Sequence, residues 1–246
     1  MRQFRRIIGM TIILALVLCS FVSCSAKPME LTAEADEFLS ANPYSVDIRV
    51  EYESEDEIMQ AAISSFTGPT IKVNVDGDKF MAIMYLKSGN TQNYAQFTYV
   101  DGTLYTEYSE DGKVVESTKT FTDEDKAALL QTFGAGASVN HEDFEEVDAK
   151  TVKKVSVITC TDIKPEAIEG LTSSLRAQLE PVFPGVQVTV YTATLDIEIE
   201  DGKYNVVIFN CEYFITTGTN SYTINMKYSV KFNYDEEFTV TAPEFD

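Results

Sequence analysis

Residues able to do chemistry are sparse in this chain. His141 is the single histidine among 246 residues, so a Ser–His–Asp arrangement would have to run through it. No Gly-x-Ser-x-Gly or comparable nucleophile setting accompanies it. The run His141-Glu142-Asp143-Phe144-Glu145-Glu146 offers the oxygen donors that a hard cation takes. It lacks the glycine and regular spacing of a calcium loop, and reads better as a solvated acidic strand edge. Asn74-Val75-Asp76-Gly77-Asp78 has a similar look, but hairpin chemistry explains it. Cys-x-x-Cys pairs, Gly-rich phosphate loops and zinc spacings are absent, so neither a metal nor a cofactor is expected. The 39 acidic residues could include a carboxylate pair for glycoside hydrolysis, yet nothing singles out two of them. A hydrolase using such carboxylates is the third of three functional classes considered.

Cys24 carries the clearest chemical signal. Arg2, Arg5 and Arg6 precede an apolar run from Ile7 to Leu18, and Phe21-Val22-Ser23-Cys24 closes it. A basic start, a short apolar stretch and a small residue before the cut describe an export signal over residues 1–23. A cysteine directly after that small residue resembles the lipobox of bacterial lipoproteins. The resemblance implies that the Cys24 thiol receives a diacylglyceryl group, with palmitate-type chains, and that cleavage falls between Ser23 and Cys24. It implies a place on the cell membrane, facing away from the cytoplasm, or on the outer membrane of a Gram-negative cell. Phe21 stands where the family prefers Leu. Cys19 is a poorer site because bulky Leu18 precedes it. An ordinary signal peptide with an incidental cysteine is the alternative.

Charge bounds the partners. The chain has 19 basic and 39 acidic residues; three of the basic ones and no acid lie in residues 1–23, leaving 16 against 39 and a formal charge of −23. Such a surface opposes nucleic acid, whose binding needs Lys and Arg at phosphates. It equally opposes adsorption to anionic headgroups, which takes polybasic segments. The membrane is therefore expected to be held through the lipid on Cys24. The hydrophobic content of 44% is ordinary for a chain with a packed core.

Beyond the signal, Cys160 and Cys211 are the only cysteines free to pair. Exported chains keep disulfides, but both residues lie in strand-like runs where buried free thiols are common. The aromatic and methionine stripes have two readings as well. They are plain core, or Met81, Met84, Phe209, Tyr213, Tyr222, Met226 and Tyr228 line an adaptable apolar cavity between sheet and helices.

The elements that must position these residues are mostly strands. Residues 24–42 read as a lipid-anchored tether with a short helix, whose Leu31, Ala35, Phe38 and Leu39 share one face until Ala41-Asn42-Pro43 ends it. An unstructured spacer is the alternative. From Tyr44 to Tyr52, apolar residues alternate with polar ones, giving a strand with one wet face. Ser54-Glu55-Asp56-Glu57 has the pattern of a capping box, and residues 55–66 after it suit either a short helix or a strand. Residues 70–119 predict a meander with strands at 70–75, 79–87, 92–100, 103–109 and 113–119, turned at Asp76-Gly77, Asp101-Gly102 and Asp111-Gly112. The segment 79–87 is apolar on both faces and needs cover on both. A helix is expected from about Phe121 to Phe133, strands at 143–148 and 151–161, and a helix from Pro165 with Ile168, Leu171, Leu175, Leu179 and Val182 inward. Long strands at 187–200, 203–216 and 221–234 close the chain. A phase slip between Val190 and Tyr191 predicts a bulge. No linker divides residues 43–246, so one α+β domain is expected: a strongly curved, mostly antiparallel sheet whose concave face two or three helices cover.

This order of elements, with the lipobox, resembles Gram-positive lipoproteins related to the mycobacterial lipid-binding lipoproteins, whose fold is the half-barrel of the lipoprotein carriers. The similarity covers roughly residues 31–243 and brings no binding or catalytic motif. It implies a non-enzymatic surface lipoprotein that holds a lipid or other apolar molecule on its concave face. A surface interaction or scaffold protein without such a ligand is the rival class.

Overall fold

The computed structural model describes residues 27–64, 70–88, 91–110, 113–120, 141–152, 154–234 and 237–245. The export signal, Cys19, Cys24, the Asp111-Gly112 turn and the helix expected over 121–133 lie outside the described residues. Three helices are described: α1 (Lys27–Ala41), α2 (Glu57–Ile63) and α3 (Pro165–Leu179). The strands are β1 (Tyr44–Glu53), β2 (Ile71–Asp76), β3 (Lys79–Ser88), β4 (Thr91–Val100), β5 (Thr103–Glu110), β6 (Lys113–Thr120), β7 (Phe144–Val152), β8 (Val155–Ile163), β9 (Gln187–Glu200), β10 (Lys203–Thr217) and β11 (Asn220–Asn233).

All eleven strands join one sheet in the order β6-β5-β4-β3-β2-β1-β11-β10-β9-β8-β7. Every pairing is antiparallel. The sheet is curved and open, an α+β half-barrel with helices as cover. Neighbours in the sheet are consecutive in the chain except β1 and β11; β1–β2 and β8–β9 are joined through helices α2 and α3 and the other neighbouring pairs directly. The β1–β11 pairing aligns Ile48 with Val230 and Val50 with Tyr228 and so closes the centre of the sheet. Side chains on a strand alternate between faces. Val46, Ile48, Val73, Val207, Leu195, Ile197, Val230 and Ile158 therefore meet on one inner face and form a single core.

Local chemistry makes the connections. Asp101 and Gly102 have φ of 49° and 80°, and Asp201 and Gly202 have 50° and 74°, the left-handed pair that a two-residue hairpin requires. Tyr191 is the expected bulge: Glu212 faces Thr192 and Tyr213 faces Val190, which leaves Tyr191 without a partner and 74% exposed. No described part of segment 55–66 forms a strand, and Glu57–Ile63 forms helix α2. Asp56, rather than Ser54, is its N-cap and accepts from the backbone N–H groups of Ile58 and Met59, each at 2.9 Å. Ser54 instead donates to the Thr223 carbonyl at 2.8 Å, tying the start of the helix to β11. The turn between β7 and β8 falls later than expected, after Val152. Residues 149–152 alternate weakly, so only pairing with β8 decides where the strand ends.

Helix α1 is part of the folded body and not only a tether. Ala35 is fully buried, Leu31 and Leu39 pack against the core, and the Phe38 ring meets Tyr234 edge-on at 5.3 Å. Asn42 donates to the Phe38 carbonyl at 2.9 Å and satisfies one of the open groups at the end of the helix before Pro43 stops it. Helix α3 begins with Pro165 and buries Leu171, Leu175 and Leu179. Before it, the Lys164 N–H donates to the Asp143 carbonyl at 2.7 Å; beyond it, the Gly185 N–H donates to Glu180 Oε1 at 3.0 Å.

The opposite, outer face carries its own cover at one end. Phe245, far along the C-terminal segment, packs edge-on to Tyr105 of β5 at 5.7 Å, and Val240 of the same segment is buried. The contact covers β5, while Tyr85 on the outer face of β3 stays 46% exposed.

Candidate functional site

Six of the seven candidate lining residues share the inner face, and one does not. Register places Phe209 opposite Tyr228, Cys211 opposite Met226, Tyr213 opposite Ile224 and Ile215 opposite Tyr222. Met84 pairs with Ile71, which pairs with Ile48, so Met84 belongs to the same face. Met81 pairs with Asn74, which pairs with Ser45, and this row lies on the outer face. The expectation that Met81 and Met84 line one cavity is corrected by pleat parity: residues three apart on a strand point oppositely.

Within the inner face the six divide by exposure. Met84, Phe209, Tyr213 and Tyr228 are 2%, 5%, 2% and 6% exposed, which makes them floor. Tyr222 and Met226 are only partly buried, as is Tyr52, which pairs with Met226 across β1 and β11. Phe183, just after α3, reaches the Tyr222 ring at 6.5 Å. A rim of Tyr52, Tyr222, Met226 and Phe183 thus opens beside α3 above a closed aromatic floor. This rim lies between the closing strands and the helix from Pro165.

Polar atoms in this region are few and neutral. The Tyr213 hydroxyl donates to the Met226 sulfur at 3.9 Å. Burial holds the Tyr213 and Tyr228 phenols well above the ordinary tyrosine range. Burial pushes Tyr52 up to about 12, partly offset by a hydrogen bond from the Gln178 side chain on α3. Gln178 Oε1 is itself buried without a hydrogen-bond partner. Cys160 and Cys211 are free and buried, and burial pushes both thiols up to about 12, so neither is a ready thiolate. The candidate disulfide is thereby corrected. Cys160 lies on β8 opposite Leu195 and Cys211 on β10 opposite Ala193, with β9 between them. Two strand spacings of about 4.8 Å and the two-residue offset between Leu195 and Ala193, about 6.7 Å along β9, put the Cα atoms roughly 12 Å apart, beyond the ~7 Å limit for a bridge. Among the described residues the inner face is apolar with a few neutral hydrogen-bonding groups, and its two thiols are not activated.

A second polar cluster holds α1. Tyr204, buried on β10, donates its hydroxyl to Asp36 Oδ1 at 2.9 Å. Tyr204 stacks on Phe232 at 5.4 Å, while Lys203 Nζ lies 4.4 Å above the Phe38 ring. Burial raises the Asp36 pKa above 3.8, opposed by the Tyr204 hydrogen bond and by the field of His141. Both ring nitrogens of His141 are buried without a hydrogen-bond partner. The cation-site idea for residues 141–146 gains nothing: among the described residues no three metal-ligating side chains converge.

The Asp36 shift has a direct consequence. A carboxyl whose folded pKa lies above its unfolded value favours the folded state most at low pH. That advantage is lost as pH rises from about the unfolded value of 3.8 through the raised folded value. Asp36→Asn keeps an acceptor for Tyr204 and removes the titration. We expect higher stability than the parent at pH 7 and no difference below pH ~3.5. Urea unfolding followed across pH checks this, and a loss of stability at pH 7 would refute it.

Tyr52, Gln178, Asp36 and Tyr204 escaped the search for chemistry in the sequence. Gln178 lies three residues after Leu175 and seven after Leu171, a polar residue on an apolar stripe. Asp36 sits four after Thr32 and beside Ala35 on the packing face of α1. Those spacings were readable signals.

No family model and no curated protein matches the chain. Among solved structures, the ywiB protein of Bacillus subtilis is similar at 9% identity and a TM-score of 0.19, over 77% of this chain and 91% of that one. The di-domain ARO/CYC StfQ of the steffimycin biosynthetic pathway is similar at 6% identity and a TM-score of 0.16, over 89% and 82%. The tesB protein of Mycobacterium avium subspecies paratuberculosis follows at 11% identity and 0.13, over 83% and 85%. Scores of this size carry no argument about function.

Proposed function

We propose that this chain is a lipid-anchored, non-enzymatic surface lipoprotein that binds a lipid or similar apolar molecule at the inner face of its half-barrel. One observation carries the reading. The rim of Tyr52, Tyr222 and Met226 stays partly open beside α3, whereas the floor beneath it is closed and aromatic. Removing apolar ligand area from water there supplies the affinity, at about 25 cal/mol per Å². Among the described residues the one carboxyl with a raised pKa, Asp36, is engaged by Tyr204 rather than by a second carboxylate, which favours binding over hydrolysis.

The test uses full-length protein from a bacterial host, washed free of detergent. Lipid extraction with mass spectrometry should find an apolar molecule besides the covalent anchor. The neutral probe N-phenyl-1-naphthylamine should then bind saturably, and Met226→Trp, which fills the rim, should weaken it about tenfold or more. Absence of both lipid and probe binding would end the reading.

A second reading, a surface interaction protein, has its own support. Tyr191, at the bulge of β9, and Phe214, on the neighbouring β10, are 74% and 46% exposed.

A further inference from the structure

The outer face of the meander half holds a row of residues in strict register. Asn233 of β11 pairs with Ser45 of β1, Ser45 with Asn74 of β2, Asn74 with Met81 of β3, Met81 with Thr98 of β4 and Thr98 with Tyr105 of β5. No described helix packs on this row, yet Ser45, Asn74 and Thr98 are 0%, 8% and 2% exposed. The chain leaves β11 at Asn233, and its Phe245 reaches Tyr105. Five strand steps of about 4.8 Å separate these points, roughly 24 Å, and the intervening residues span that distance when extended.

The segment that makes the crossing is built as an extended peptide. Phe238 and Val240 turn toward the protein while Glu237, Thr239 and Thr241 stay exposed; Pro243 and Phe245 turn inward around exposed Glu244. Such alternation is what a peptide lying flat on a surface shows. Yet residues 237–245 form no backbone hydrogen bond with the other described residues. Ser45 Oγ and Asn74 Oδ1, on the row, are buried without partners. The segment therefore fits by its apolar side chains and leaves hydrogen-bonding capacity unused.

We infer that the band across β1–β5 is a peptide-binding groove that residues 237–245 occupy in cis, as a strap another protein's peptide displaces. The displacing partner is an extended segment with apolar residues at alternate positions. It also carries a hydroxyl or amide side chain able to donate to Asn74 Oδ1. Matching that acceptor gives it an advantage the strap lacks. The strap's advantage is its tether, which sets a high effective concentration and keeps weak competitors out.

The probe is a fluorescein-labelled peptide with the sequence of residues 237–245, presented to full-length parent protein and to full-length Val240→Asp. The substitution puts a charge where the strap buries an aliphatic side chain and should free the groove. Val240→Asp should bind one peptide per chain at least ~10-fold more tightly than the parent, and a scrambled peptide should bind neither. Equal binding by the two proteins, or none by a folded Val240→Asp, overturns the inference. Should Val240→Asp fail to fold, full-length Phe245→Ala, which loses the ring contact with Tyr105, takes its place and should bind the labelled peptide more tightly than the parent. Binding by folded Phe245→Ala no tighter than by the parent would make the strap a fixed part of the fold and overturn the inference.

Discussion

Replacing Cys24 by alanine is expected to abolish acylation of the chain completely. Metabolic labelling with an alkyne palmitate analogue should mark the parent protein and leave Cys24→Ala blank. Cys19→Ala should label like the parent. The expectation follows from the small residue Ser23 directly before Cys24 at the end of an apolar run. Persistent labelling of Cys24→Ala would refute the assignment.

If the protein is anchored through Cys24 as proposed, loss of the acyl chains should also release any correctly cleaved protein. Each buried CH₂ of an acyl chain contributes about 0.8 kcal/mol, and two chains hold stably where one is marginal. A polybasic patch gains about 1 kcal/mol per cation at an anionic surface. Beyond residue 23 this chain has 16 basic residues (19 less three) against 39 acidic ones, so that contribution has the wrong sign. No described helix is long and apolar enough to cross a membrane. The packing of α1 sharpens the picture: helix begins at Lys27, three residues after Cys24, or about 10 Å of extended chain. The folded body would therefore sit close against the bilayer.

Features set by neighbours in the chain were legible before the structure. β11 alternates Tyr222, Ile224, Met226, Tyr228, Val230 and Phe232 without a break, so its face was readable, and the fault in that rhythm at Val190-Tyr191 marked the bulge. Asp-Gly pairs fixed hairpins because positive φ is a property of the residue itself. Long-range geometry was not legible. Whether Cys160 could reach Cys211 depends on β9 lying between them, which is a matter of sheet order. That Phe245 lies against Tyr105 is likewise long-range packing, which no local pattern in the sequence shows. Of the seven candidate lining residues, six share the inner face, as their alternation implies, and Met81 does not. Its own strand is apolar on both faces, so local pattern could not say which neighbours it would join. Gln178 became significant only when α3 came to lie over Tyr52.

Leu175→Ala is expected to cost about 2–5 kcal/mol, the range for removing a buried leucine side chain. For a chain of this size each kcal/mol lowers Tm by about 2–4 °C, so the transition should fall by roughly 5–20 °C. The effect should be at the large end because Leu175 is the middle residue of the buried stripe Leu171, Leu175 and Leu179. Its N-cap, Lys164, makes no side-chain capping bond. Between the ties at Asp143 and Gly185, Leu171, Leu175 and Leu179 are its fully inward side chains. Leu175→Met, which nearly conserves volume, should cost less than about 1.5 kcal/mol. Calorimetry of both variants measures this, and a cost below ~1 kcal/mol for Leu175→Ala would mean that α3 is not docked through this residue. The same variant separates stability from binding. It leaves room under the helix without touching Tyr52, Tyr222 or Met226 themselves. If those residues receive an apolar ligand, N-phenyl-1-naphthylamine should bind the folded variant at least as well as the parent while Tm falls. A parallel loss of probe binding in still-folded Leu175→Ala would place the ligand against α3 itself rather than at the rim.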